Sequence, residues 1–126
     1  MCLALSVSAV SESGTHVTFY LHADGSVSGF RAEGHSGYAA YGEDILCAAI
    51  SALTQTTLLG LLNVIGIPVT YELDDEVGLV DVRVNNDVNG EQFQDAQILF
   101  ETLRCGLESI NAGYPEYLFI HQESFD

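Results

Sequence analysis

No charged residue occurs between Ile45 and Tyr71, and that run limits the folds open to this chain more than any other feature. A segment so apolar is either a membrane span or a helix whose surface is covered by protein. Ser51, Thr54, Gln55, Asn63 and Pro68 interrupt it, Gly60 and Gly66 weaken it, and no basic residue flanks it to set an orientation. The pattern predicts a central buried helix from about Ile45 to Val64 or Ile65, stopped by Gly66 and Pro68, with part of its surface suited to a subunit interface. Met1–Val10 has no basic start and no clear cleavage signal, so it matches a secretory leader poorly.

The sequence on either side reads as strands and one further helix. Thr15–His22 alternates Val17, Phe19 and Leu21 with Thr18, Tyr20 and His22, the period of a half-buried strand. Asp24-Gly25 supplies a turn, and Ser26–Glu33 returns with Phe30 and Ala32 on one face. Val69–Leu73 and Gly78–Val84 form a second pair around Asp74, Asp75 and Glu76, which read as a solvated turn. A helix from about Glu91 to Asn111 follows from the apolar stripe of Phe93, Ala96, Phe100, Leu103, Leu107 and Ile110; Gly113 and Pro115 end it, and Tyr117–His121 is a last strand. The order ββαββαβ implies an α/β two-layer sandwich of one mixed, mainly antiparallel sheet with two helices. Met1–Ala9 reads either as an added N-terminal strand or as a flexible extension, leaving residues 14–126 as one domain.

Charge narrows the function. The net charge is −15, with Arg31, Arg83 and Arg104 the only strong cations and no lysine. Phosphate neutralisation needs clustered Lys and Arg, so nucleic-acid binding is not expected. The acidity suits a basic polypeptide partner, and serves solubility equally well. Cys2, Cys47 and Cys105 are odd in number, which argues for free thiols in a reducing, cytoplasmic setting. His16 and His22 share a strand face but are six residues apart, with no cluster to complete a tetrahedral set, so no metal is expected. His121 reads as a surface residue.

The stretch from Gly34 to Ser51 carries the residues with chemical potential. His35 falls at the end of a strand, Gly34, Gly37, Tyr38, Tyr41 and Gly42 lie in a loop that could cover a substrate, and Cys47 falls in what reads as the first turn of the helix. A free thiol has a pKa near ~8.5, and a helix N-terminus or an imidazolium lowers it. Asp44 is placed to cap the helix on the amide of Cys47, or to orient His35, and both roles are compatible. The amides of Cys47 and Ala48 are then candidate oxyanion donors. Ser51, one turn after Cys47, either supports the site or bonds back to a carbonyl. On residues alone, Cys47 fits a small core residue as well as a nucleophile.

The pattern Gly-His, twelve residues from His to Cys, then Gly-x-Asp-Ile-x-Cys-Ala-Ala-x-Ser, resembles the ribosomal-processing cysteine protease family, Prp, with elements in matching order from about Thr15 to Ile120. The resemblance implies His35 as catalytic histidine and Cys47 as nucleophile. It implies no cofactor, a homodimer, and as substrate the N-terminal extension of a precursor of the twenty-seventh protein of the large ribosomal subunit. Two features depart from that pattern: Met1–Ser13 is extra, and the loop Ser36–Tyr41 is less polar than the family's. The alternative is a non-catalytic, ribosome-associated module that only binds peptide.

Overall fold

The structure, a computed structural model, describes residues 14–34 and 41–124, the side chains of 41–44 excepted. Strands β1 (Thr15–Leu21) and β2 (Val27–Glu33) precede helix α1 (Tyr41–Leu59). Then come β3 (Val69–Asp74), β4 (Leu79–Val84), helix α2 (Gly90–Gly113) and β5 (Leu118–Ser124). The five strands form one sheet in the order β3-β4-β2-β1-β5. β1–β2, β2–β4 and β3–β4 are antiparallel and β1–β5 is parallel, so the sheet is mixed and mainly antiparallel, as expected. Met1–Ala9, where an added strand is one reading, lies outside the described residues.

Alternation along the strands divides the sheet into two faces. Val17 and Phe19 of β1, Phe30 and Ala32 of β2, Val80, Val82 and Val84 of β4 and Leu118 of β5 join the core under the helices. Helix α2 meets them with Ala96, Phe100, Leu103 and Leu107, and the Phe30 and Phe100 rings pack edge-on at 6.2 Å. Its start is set by Asn89, whose side chain accepts a hydrogen bond from the Gln92 amide at 2.8 Å, a cap worth about 1 kcal/mol.

Helix α1 departs from expectation in three ways. It begins at Tyr41 rather than about Ile45, so Tyr41 and Gly42 belong to its first turn and not to the loop. The early start puts Glu43 and Asp44 near the positive end of the helix dipole, where carboxylates are favoured. Its end widens into a π-helical segment, Gly60–Ile65, closed where the amide of Gly66 donates to the Leu61 carbonyl at 3.0 Å. Gly60 lies against α2 so closely that a β-carbon there would come within 3.0 Å of Leu99. Nor is the helix centrally buried. Leu46, Ile50, Thr54, Leu58 and Leu61 face the core, while Ile45, Leu59 and Val64 are largely exposed. The apolar run covers both sides of a helix that the sheet and α2 pack from one side only.

Among the described residues no helix covers the other face of the sheet, and polar residues there cover one another. Asp81 of β4 is buried to 7% exposure because it accepts from the Tyr20 hydroxyl at 2.9 Å and pairs with Arg31 at 2.9 Å and Arg83 at 3.2 Å. The Arg83 guanidinium also sits 4.2 Å from the centre of the Tyr20 ring. Burial, and then the Asp81 carboxylate, hold the Tyr20 phenol above its ordinary pKa. Replacing Asp81 by Ala leaves two guanidiniums and a phenol without their shared acceptor, with water reaching both arginines. The expected loss is about 2 kcal/mol of unfolding free energy in urea titration, against less than about 1 kcal/mol for Glu33→Ala, whose exposed pair with Arg31 spans 3.3 Å.

Candidate active site

Cys47 projects from the second turn of α1 and is half-buried. Its sulfur lies 3.9 Å from the hydroxyl oxygen of Thr15, the first residue of β1. The Thr15 hydroxyl donates to the carbonyl of Gly34 at 3.3 Å, and the Thr15 amide donates to Tyr117 at 2.9 Å. The nucleophile candidate therefore sits against the start of β1, at the residue whose hydroxyl bonds Gly34, which precedes His35 in sequence. Backbones approach closely here. A β-carbon on Gly34, at φ +96°, would meet the Gly14 carbonyl at 2.8 Å, and one on Gly14, at φ +107°, would meet that of Tyr117 at the same distance. Only glycine tolerates both the conformation and the contact.

His35, Gly37 and Tyr38 lie outside the described residues, as do the side chains of Tyr41 and Asp44. Two expectations about the helix are corrected. Asp44 is the fourth residue of α1, so it cannot be the N-cap, which stands half outside the helix. For the same reason the amides of Cys47 and Ala48 fall where a regular helix pairs each N–H with the carbonyl four residues back, here Glu43 and Asp44. The unpaired amides of α1 are those of its first turn. Cys47 thus feels the positive helix end from one turn further than expected, and that attraction weakens quickly. Ala48 and Ser51 are exposed, Ser51 one turn beyond Cys47 on the same helix face.

Thr15 is not legible as a site residue, since a threonine opening a strand is ordinary; its meaning comes from the approach of α1 to the start of β1. A second unread pair lies on the opposite sheet face. His16 Nδ1 and His121 Nε2 are 3.0 Å apart, with ring centres at 5.2 Å and planes within 6°. That leaves little more than a ring radius on each side of the contact, so the imidazoles meet edge to edge. His16 finds His121, not His22, because β1 and β5 run parallel side by side. Among the described residues no group of three or more His, Cys, Asp or Glu side chains could hold a metal ion. The pair lines a groove of about 690 Å³ with Arg31, Glu33 and Gly34.

An N–H···N contact needs one donor and one acceptor, so a doubly protonated pair cannot keep it. Burial, and then the nearby His16, lower the pKa of His121 from its ordinary 6.5, with Glu123 opposing. A folded value below the unfolded one contributes stability that is present above pH 6.5 and lost as the pH falls through the lower folded value. Urea titrations from pH 7.5 to about 5.5 should therefore show the wild type losing more stability than His121→Gln over that window; parallel curves would contradict this.

The family described as cysteine protease Prp matches residues 15–119. The chain is 24% identical over 95 residues to the ribosomal processing cysteine protease Prp of Bacillus subtilis (strain 168), covering 75% of this chain and 85% of that protein. It is 30% identical over 93 residues to the protein of the same description in Staphylococcus aureus (strain Mu50), covering 74% and 84%. The crystal structure of the S. aureus ribosomal processing protease Prp with a substrate peptide shares the fold, with a TM-score of 0.76 at 21% identity over 86% of this chain and 99% of that one. A second S. aureus structure, with a covalently linked product peptide, gives 0.73 at 24% identity over the same shares. The thiol at the sheet's end, the sheet order and the profile over residues 15–119 have one account: the chain belongs to the Prp family of ribosomal processing cysteine proteases.

Proposed function

We propose that this chain is a cytoplasmic cysteine endopeptidase acting through a Cys47/His35 dyad. Its substrate would be the N-terminal extension of the twenty-seventh protein of the large ribosomal subunit. The observation that carries this reading is the Cys47 sulfur set against the Thr15 hydroxyl, which itself bonds Gly34, the residue before His35 in sequence, in a chain of a cysteine protease family. The relatives solved with substrate and product peptides support a peptide as partner. In the reaction the Cys47 thiolate attacks the scissile carbonyl, His35 protonates the leaving amine, and His35 then draws a proton from the water that hydrolyses the thioester. These steps use side chains alone, so no cofactor enters. A net charge of −15 favours encounter with a basic ribosomal protein and disfavours nucleic acid.

The chain would act as a homodimer. Leu59, Val64 and Ile98 are 54%, 82% and 66% exposed, beside a cleft of about 610 Å³ between α1 and α2 lined by Leu53, Gly60, Leu99 and Leu103. Apolar surface of that kind is usually covered by a partner. Covering by a second copy also accounts for the segment Ile45–Ile65, which is long and apolar enough to cross a bilayer, without a membrane.

Cleavage of a fluorogenic peptide carrying the extension sequence tests the dyad. Cys47→Ala should abolish turnover and His35→Ala should lower kcat by about 10²-fold or more. Iodoacetamide followed by mass spectrometry should label Cys47, the thiol assigned to the dyad, ahead of Cys105. Full cleavage by Cys47→Ala would remove it from the mechanism, and a reactive thiol with no cleavage of any extension peptide would favour a peptide-binding module. For the assembly, light scattering at micromolar concentration should report a dimer that Val64→Glu converts to monomer.

A further inference from the structure

We infer that Thr15 is a positioning residue for the Cys47 thiol, its hydroxyl serving the Gly34 carbonyl at rest and the thiolate during reaction; this rests on Cys47 being the nucleophile. Thr15 is 5% exposed, its amide is fixed to Tyr117, and its side chain points to the helix face of the sheet with Val17 and Phe19. A hydroxyl has one proton to donate and two lone pairs to offer. With that proton on Gly34 O at 3.3 Å, the oxygen can only accept from Cys47 S–H at 3.9 Å, a weak bond that suits a neutral thiol. When the thiol proton passes to the base, the sulfur becomes a charged acceptor. A hydrogen bond to a charged group is about twice as strong as a neutral one, so the hydroxyl turns from Gly34 to the sulfur. No covalent bond of Thr15 is made or broken. Gly34 is half-exposed, and water takes the vacated place on its carbonyl.

The geometry separates this contact from the charged groups of the strands. His16 and Glu33 are neighbours of Thr15 and Gly34, but alternation turns both to the opposite sheet face, where they line the groove that holds His121. On α1 the titratable neighbours are Glu43 and Asp44, one turn toward the N-terminus. Removing the Thr15 hydroxyl therefore leaves these charges in place and deletes one donor to the thiolate.

The test is the pH dependence of Cys47 alkylation by iodoacetamide in the full chain, read by mass spectrometry for Thr15→Val and Thr15→Ser, beside kcat and KM for the extension peptide. Thr15→Val should slow alkylation at neutral pH about three- to tenfold, an effect that fades at alkaline pH where thiols are ionised in any case, and lower kcat by a similar factor with KM unchanged. Thr15→Ser should keep the wild-type midpoint. Thr15→Ala carries the same expectation as Thr15→Val should the latter not fold. A wild-type midpoint in Thr15→Val, or equal shifts in the Val and Ser variants, overturns the assignment. A shifted midpoint in a chain that cleaves no peptide upholds the thiol contact while ending the protease reading.

Discussion

The pairing of β1 with two neighbours at once is the constraint from which the rest follows. Its antiparallel bonds to β2 bring Gly34, and with it the start of the histidine loop, to the end where β1 begins. Its parallel bonds to β5 bring Tyr117 to the same end and His121 beside His16. The period of two then separates adjacent residues by function. Thr15 turns toward the thiol and His16 toward the imidazole pair, so one step along the backbone crosses from the candidate site to the groove on the far face. A one-residue slip would exchange them and expose Val17 and Phe19, which is why the site and the core share one register.

The arginines show how so acidic a chain arranges its few cations. Arg31 and Arg83 close around Asp81, and Arg104 lies over the ring of Phe19 at 5.0 Å. Each is committed to a partner within the fold. The surplus of carboxylates is therefore not offset by these three arginines.

Much of this fold is legible in the sequence because local patterns dictate it. The alternation in Thr15–His22 and Gly78–Val84, and the stripe from Phe93 to Ile110, name residues that do reach the core. Strand order is another matter. That β5 adds beside β1, and parallel to it, depends on how the layers pack, and no residue in Tyr117–His121 encodes its neighbour. The start of α1 was misjudged for a related reason. Asp44 looks like a cap because Asp often is one, yet Asp and Glu are also favoured inside a first turn, and local sequence does not separate the two. The motif marks Cys47 and His35 because their spacing belongs to a family, whereas Thr15 is invisible to any motif, its contact with Cys47 bridging strand and helix.

Helix α1 holds two features that would conflict at a single point: a candidate nucleophile, Cys47, and an exposed apolar surface. The helix separates them along its length. Cys47, Ala48 and Ser51 lie in its N-terminal half, while Leu59 and Val64 lie at the far end, seventeen residues from Cys47 to Val64 and so about 25 Å along the axis at helical rise. A second copy seated on the C-terminal end would leave the thiol open. The π-helical segment Gly60–Ile65 makes up that far end, where Gly60 meets Leu99 of α2, Leu61 stays in the core and Val64 is exposed.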